Sequence, residues 1–390
     1  MADIAIIGGG INGSSIAYHL MASGKAGNVV VVEPDPTYEH AATPRSTGGV
    51  RRIFSIPECI AMSDYGHEVY GNFDALMAID GQAPGSINFR RIGYTWMGSG
   101  PGQVETLVQN WKVHIANGVR VELLDRKGVK HRFPALNVDD IDAALFSPDD
   151  GFIDPYSALI GVRKKAINLG AEYIKDRVVD FQRTDRRIQA LVLESGKVLK
   201  ADIVVNAANC WGIALCEALG MKIPVQPMRR LTFYFEVRQE LGPLTSARHI
   251  GSNVSFRPEG KGFISGKTNY DEKFGFNWDV DYDWFNDHMW PDLAQRVTAF
   301  AELKVQSAWS CHYDQNTMDN NAIIGRWIGG CDNFYVCIGF SGHGLQHAPA
   351  TGRAIKELLI DGSYQTLDLS RLSYQRVIDN KPLQDIGPYA

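Results

Sequence analysis

Three glycines near the start of the chain, Gly8-x-Gly10-x-x-Gly13, stand directly behind the apolar run Ile4-Ala5-Ile6-Ile7 and open a helical pattern that stops at Gly24. This spacing suits a backbone that must come close to a pyrophosphate. The first glycine makes the tight turn, the second bares the N–H groups of a helix N-terminus, and the third lets helix and strand pack, with Ile11 and Asn12 between them. Glu33 follows Gly13 by twenty residues, at the end of a second apolar run from Val29 to Val32. An acid there accepts a hydrogen bond from an adenosine ribose and disfavours a 2′-phosphate. The combination points to a dinucleotide with an ADP half, which FAD and NAD share and this motif does not separate. Towards the other end, Gly339-Phe340-Ser341-Gly342-His343-Gly344 joins the buried run Phe334 to Ile338 to another helix. The N-terminal N–H groups of that helix would face an anion or a carbonyl gaining charge.

Candidate cations for a substrate are Arg51, Arg52, Arg230, Arg257 and Lys267, on segments expected to border the cofactor. Arginine offers a rigid fork that matches a carboxylate, so these residues predict an anionic small-molecule substrate, with a dicarboxylate or a phosphonate among the possibilities. His343 can polarise the edge of a bound ring, and His347 can reach the pocket mouth. The six cysteines, Cys59, Cys210, Cys216, Cys311, Cys331 and Cys337, show no CxxC pair. Neither a metal site nor a disulfide framework is expected, and the thiols read as those of a cytoplasmic protein.

The elements that must position these groups follow from periodicity. The short apolar runs at Ile4–Ile7, Val29–Val32, Ile203–Val205 and Phe334–Ile338 are the pattern of strands buried on both faces of a parallel sheet. A helix beginning after Asp154, with Pro155 in its first turn and an inner stripe of Leu159, Val162, Ala166 and Leu169, ends at Gly170. Leu231 to Val237 instead alternates with period two, an antiparallel signal with one face buried and the other lining a cavity. Strands are also expected within 86–97 and 253–266, with a covering helix from Val104 to Ile115. The reading is a discontinuous α/β unit of residues 1–80, 151–222 and 308–390, interleaved with an antiparallel α+β unit of residues 81–150 and 223–307. At 390 residues, 45% hydrophobic and 21% charged, the chain can bury full cores. Its 39 basic and 44 acidic residues give a net charge of −5, without the basic footprint of a nucleic-acid binder. No apolar run of about 20 residues predicts a membrane span, and the opening Met1-Ala2-Asp3 does not read as a signal peptide.

Four motifs in order carry a resemblance: Gly8–Leu20; Ser46-Thr47-Gly48-Gly49-Val50-Arg51; Val204-Val205-Asn206-Ala207-Ala208 with Trp211; and Gly339–Gln346 with Ala348-Pro349. Together they resemble the FAD-dependent D-amino acid oxidase superfamily, in its sarcosine oxidase, glycine oxidase and dimethylglycine dehydrogenase-like branch, across essentially the whole chain. The resemblance implies a Rossmann-like, glutathione-reductase-type FAD-binding domain with an interleaved antiparallel-sheet substrate domain. It further implies oxidation of the C–N bond of an N-substituted glycine or related amine (sarcosine-, iminodiacetate- or glyphosate-like) by hydride transfer to flavin N5. The resulting imine hydrolyses, and electrons pass to O2, giving H2O2, or to another acceptor. Relatives also suggest a dehydrogenase subunit of proline or opine type, or a non-catalytic assembly factor.

Carried over by position, Ser46, Thr47, Gly48, Gly49 and Arg51 would wrap the flavin ring, Val178 would meet adenine through its backbone, and Ala208 and Trp211 would flank the dinucleotide. Gly342, His343, Gly344, Leu345 and Gln346 would follow the ribityl chain and pyrimidine edge; by their own chemistry, not by family position, Arg51, Arg257, Lys267 and His343 are the residues expected to serve the substrate. Two departures stand out. Gln346 occupies the place of the sarcosine oxidase lysine that clamps the substrate carboxylate. Lys267 lies beside, not on, the strand position of the oxygen-activating lysine, and a one-residue shift turns a side chain to the other face. Cys311-His312-Tyr313 with Asn316-Thr317 is similar to a covalent flavin attachment motif with one extra residue; FAD is expected to be non-covalent, with a link at Cys311 the alternative.

Overall fold

The computed structural model describes residues 2–387. Its first sheet is assembled from stretches far apart in sequence. Ala2–Ile7 lies at the centre, parallel to Val29–Val32 on one side and to Val198–Asn206 on the other. Glu172–Ile174 and Phe334–Ile338 extend the two sides in parallel, and Ile323–Arg326 closes one edge antiparallel. The strands Val178–Arg183 and Ile188–Leu193 form an antiparallel wing on the first half of Val198–Asn206. Strand alternation sends Ala5, Ile7, Val30 and Val32 into one core and Ile4, Ile6, Val29 and Val31 into another. Both faces are therefore covered, which is why these strands read as unbroken apolar runs.

Helix Ile11–Ala22 packs against Pro155–Asn168 and Gly344–Lys356 over one of these faces. Asp154 caps the second of them by accepting the Ser157 N–H at 2.6 Å, and Pro155 occupies its first turn, as the sequence predicts. The third contains Pro349, which has no N–H to give the carbonyl of Leu345. The Tyr70 hydroxyl fills that vacancy, donating to the Leu345 carbonyl at 2.6 Å from helix Pro57–Gly71. Tyr70→Phe is therefore expected to leave a buried carbonyl unmet and to cost about 1–3 kcal/mol, read as a lowered denaturant midpoint with an unchanged m-value.

The second sheet has eight strands in the order Lys304–Asn316, Val225–Glu236, Gly262–Lys267, Val254–Glu259, Ser246–His249, Tyr94–Gly98, Ala143–Ser147 and Glu122–Asp125. It is antiparallel except where Ser246–His249 runs parallel to Tyr94–Gly98. Phe233, Phe235, Phe256 and Phe263 face a core shared with Phe285, Leu293 and Phe300 from the helical layer. The other face looks towards the glycine loops of the first sheet. The boundary read at 307/308 falls inside Lys304–Asn316, which pairs with Val225–Glu236 with one register shift between Ser307 and Val305; a strand that continues through that shift offers no turn residue to mark its start. No helix among the described residues is long and apolar enough to cross a membrane.

Candidate functional site

Two clefts flank the loops that the sequence singled out. The first, about 450 Å³, lies at the C-terminal ends of the parallel strands and includes Gly8, Gly10, Ile11, Asn12, Glu33, Val178, Ala208 and Trp211 in its wall. The three glycines of the Gly8-x-Gly10-x-x-Gly13 motif are not equivalent. A Cβ on Gly8 would lie 2.7 Å from the Ala208 Cα, and one on Gly13 would lie 1.9 Å from the Gly8 carbonyl, so packing excludes side chains at both. Gly10 has φ −61° and ψ −173°, open to any residue, and a Cβ there meets no protein atom within 4 Å. Its bareness is explained by what enters the cleft, at the N-terminus of Ile11–Ala22.

The rest of the cleft agrees. Asn12 donates through Nδ2 to the Gly344 carbonyl at 3.4 Å, tying the two glycine loops, while its buried Oδ1 has no hydrogen-bond partner. Glu33 accepts the Gly9 N–H at 2.8 Å and the Asp35 N–H at 2.9 Å. Burial pushes its carboxyl above the usual carboxylate range, against the pull of those donors. Trp211 stacks on Phe276 at 4.3 Å, an aromatic wall supplied by the loop before Tyr282. This cradle fits the adenosine and pyrophosphate of FAD.

The second cavity, about 190 Å³, lies between the two loops and the open face of the second sheet. Ser46, Thr47, Gly48, Gly49, Arg51, Gly342, His343, Leu345 and Gln346 line one side. Gln346 joins the loops by accepting the Arg51 N–H at 3.0 Å. Arg51 donates through Nη2 to His343 Nε2 at 3.1 Å, so that imidazole nitrogen is an acceptor and the ring is neutral. The Arg51 guanidinium also lies over the Phe54 ring, 4.5 Å from its centroid.

The glycine loop is itself held from below by Asp314, whose carboxylate accepts the Gly339 N–H at 2.7 Å. Burial raises the Asp314 pKa to about 6, with the loop N–H groups opposing it. Since the folded value lies above the unfolded one, the native state binds the extra proton and stability falls as pH rises from about 4 through about 6. Asp314→Asn is expected to flatten that segment of the pH–stability curve, measured by thermal denaturation between pH 4 and 7; an unaltered slope would assign it to other groups.

The opposite wall follows strand register. Trp96, Arg248, Ser255 and Gly266 are successive cross-strand partners, and Tyr94 with Ser246 and Arg257 with Ile264 are pairs in the next row; all line the cavity. Arg230, Thr232 and Tyr313 extend this wall. Arg248 escaped the sequence reading because Ser246–His249 is only four residues long. The alternation of Ser246 and Arg248 with apolar Ala247 was the available signal.

The structure places four of the sequence-predicted residues differently from expectation and also locates Cys311. Arg257 donates from Nη2 and Nε to the Thr47 carbonyl at 2.7 and 3.1 Å, pairs with Glu259 and lies 3.7 Å from the Phe152 ring centroid. Its guanidinium clasps the 46–51 loop while the residue still lines the cavity. Lys267 borders the cavity, but its ammonium is carried to the helical layer, 2.6 Å from Asp292 and 2.8 Å from the His288 carbonyl. Its odd position in the strand explains this, because Ile264 and Gly266 have the cavity parity. Arg52 is drawn into the acidic group of Asp64, Asp149 and Asp150. His347 is buried and bonded to Ser63 at 3.1 Å instead of reaching a pocket mouth, and desolvation drops its pKa to about 3. Cys311 lines neither cavity, and burial pushes its thiol up to about 12. Among the described residues no cluster of three or more His, Cys, Asp or Glu could hold a metal ion.

Comparison with known proteins agrees with this geometry. The family described as FAD dependent oxidoreductase (DAO) matches residues 3–358. FAD-dependent oxidoreductase domain-containing protein 1 of Xenopus laevis is 34% identical, with the alignment covering 98% of this chain and 84% of that protein. The 4-methylaminobutanoate oxidase (formaldehyde-forming) of Paenarthrobacter nicotinovorans is 25% identical over 95% of this chain and 45% of its own length. Among solved structures, L-proline dehydrogenase from P. horikoshii superimposes with a TM-score of 0.88 at 24% identity, over 98% of this chain and 99% of that one.

Proposed function

Because the chain belongs to the DAO family of FAD-dependent oxidoreductases, we propose that it oxidises the C–N bond of an N-substituted glycine or a related secondary amine, with FAD held non-covalently. Bound FAD would supply the two-electron acceptor. The observation that carries this reading is the second cavity, with the cofactor loops on one side and a sheet face bearing arginines on the other. Arg51 would take the substrate carboxylate, its fork steadied by neutral His343. The N-terminus of Gly344–Lys356 would turn its positive end to the ring edge where negative charge gathers. Tyr94 and Trp96 would form an apolar floor that limits water. The cationic surroundings favour the neutral form of an amine, so no general base is required at the lining. The name of the Paenarthrobacter nicotinovorans relative, an oxidase of an N-methylated amino acid, supports a secondary amine. The raised pKa of buried Cys311 supports non-covalent FAD, because a thiol protonated at neutral pH is a poor nucleophile.

The placement of Lys267 favours a second reading of the electron acceptor. With its ammonium at Asp292, it is not presented to the cavity as an oxygen-activating lysine would be. A dehydrogenase passing electrons to a quinone or a partner protein then stands beside the oxidase. An anaerobic screen of N-alkyl glycines and amino acids is expected to bleach the flavin band near about 450 nm. Admitting air or a dye then separates the acceptors: peroxide marks an oxidase, and dye reduction without peroxide marks a dehydrogenase. A protein that binds no FAD on reconstitution, or whose flavin no amine bleaches, would overturn the proposal.

A further inference from the structure

We propose that Asp385 is a positioning residue for the second cavity: acting through Ser55, it holds the stretch of chain that presents Arg51, and so sets how tightly a substrate carboxylate is bound. This rests on the reading of Arg51 as the carboxylate ligand and adds to it the contacts that keep the guanidinium in place.

Between strand Gly49–Val50 and helix Pro57–Gly71 the chain has no regular structure of its own. Arg51 leans on this stretch: its Nη1 donates to the Ile53 carbonyl at 3.2 Å and its guanidinium lies over the Phe54 ring. Whatever fixes Ile53 to Ser55 therefore fixes the arginine. Two outside elements do so. From helix Gly100–Ala116, His114 donates through Nε2 to the Phe54 carbonyl at 2.8 Å, and burial drops its pKa to about 4, so the ring is neutral. From a strap at Leu383–Ile386, some 330 residues further along the chain, Asp385 accepts the Ser55 N–H at 3.2 Å and the Ser55 hydroxyl at 2.6 Å. The Ile386 N–H donates back to the same serine oxygen at 2.7 Å. Ser55 thus makes three hydrogen bonds to the strap.

The strap is anchored on two sides. In the turn after Lys304–Asn316, Asp319 accepts the Leu383 N–H at 3.0 Å and Asn321 donates to the Leu383 carbonyl at 3.0 Å. On the other side, Asn110 donates to the Ile386 carbonyl at 2.6 Å. Asn110 stands four residues before His114 on the same helix face, and both side chains are wholly buried. One helix face therefore grips the strap and the Phe54 carbonyl together. The Asp385 carboxylate also senses Arg51: burial raises its pKa, and the charge on Arg51 opposes that rise after the hydrogen bonds from Ser55.

The test uses the FAD-loaded full chain and the non-oxidisable carboxylate methoxyacetate, whose binding is read from perturbation of the flavin spectrum and needs no amine to be oxidised. Asp385→Ala is expected to weaken methoxyacetate binding about tenfold with FAD content retained, and Ser55→Ala to weaken it to a similar extent. Asp385→Asn should stay within about threefold of wild type, because its amide oxygen can still accept from Ser55. The deciding comparison is made beside Arg51→Met, with titrations carried to saturation. There Asp385→Ala should cause no further loss, because a residue that acts through Arg51 has nothing left to position. If Asp385→Ala loses FAD, Ser55→Ala beside Arg51→Met carries the same comparison.

Unchanged methoxyacetate affinity in Asp385→Ala and Ser55→Ala overturns the inference. So does a loss that is equally large beside Arg51→Met, which marks a general loosening of the fold. A wild-type protein that binds no methoxyacetate overturns it as well, by removing Arg51 as a carboxylate ligand, while bleaching by an amine would leave the oxidation reading standing. A loss coupled to Arg51, with no bleaching by any amine, supports the strap and overturns the oxidation reading instead.

Discussion

Gly10→Asp is expected to give a colourless, folded protein. Gly10 is the N-cap of helix Ile11–Ala22, its backbone is extended, and no side chain caps the helix. A Cβ there touches no protein atom within 4 Å. Aspartate at an N-cap can accept a helix N–H, so the apoprotein should be as stable as the wild-type apoprotein or gain a few tenths of a kcal/mol. The same carboxylate would project at the helix N-terminus where the pyrophosphate of FAD must sit, and like-charge repulsion with steric exclusion should weaken FAD binding by about a thousandfold or more. The holo protein would also lose the stabilisation that a tight ligand confers. Equilibrium dialysis of FAD with thermal denaturation of the apo forms measures both quantities. Gly13→Ala is the contrasting variant, because its Cβ would collide with the Gly8 carbonyl at 1.9 Å; it should lose stability and FAD together. If Gly10→Asp stays yellow with undiminished affinity, the cleft does not take the pyrophosphate.

Arg51→Met is expected to keep FAD and lose turnover. The backbone N–H of Arg51 holds the cofactor loop to Gln346 at 3.0 Å, and that bond survives a change of side chain. What disappears is the guanidinium that lines the second cavity and meets His343. Removing one preorganised charged donor should slow anaerobic flavin reduction by about 10²–10³-fold, with weaker substrate binding alongside. Arg51→Lys should recover only part of the loss, because an ammonium restores charge without the planar fork. Single-turnover reduction at several substrate concentrations separates the rate from the affinity. A rate within about threefold of wild type would remove Arg51 from the reacting centre.

Local chemistry made the cofactor half of the protein legible from sequence. Gly8, Gly10, Gly13 and Glu33 lie within 26 residues of one another and around one strand–turn–helix–strand unit, so their roles follow from backbone geometry alone. The cap at Asp154 and the left-handed Gly170, with φ +109°, were readable for the same reason. The parallel runs announced themselves because burial on both faces leaves no polar alternation to misread.

The substrate half depended on contacts that periodicity does not encode. Arg257 reads as a pocket cation until the chain folds and brings it to the carbonyl of Thr47, 210 residues away. Lys267 differs from a cavity-facing residue by one step of strand parity, which only pairing with Val254 and packing under Asp292 decide. Arg248 gains its place from being the cross-strand partner of both Trp96 and Ser255. By itself the sequence determined a dinucleotide cradle, since a turn and a helix terminus are built by neighbours in the chain. The tertiary structure alone decided which arginines line the second cavity, because side-chain direction in a sheet is set by register against strands that the sequence holds far apart.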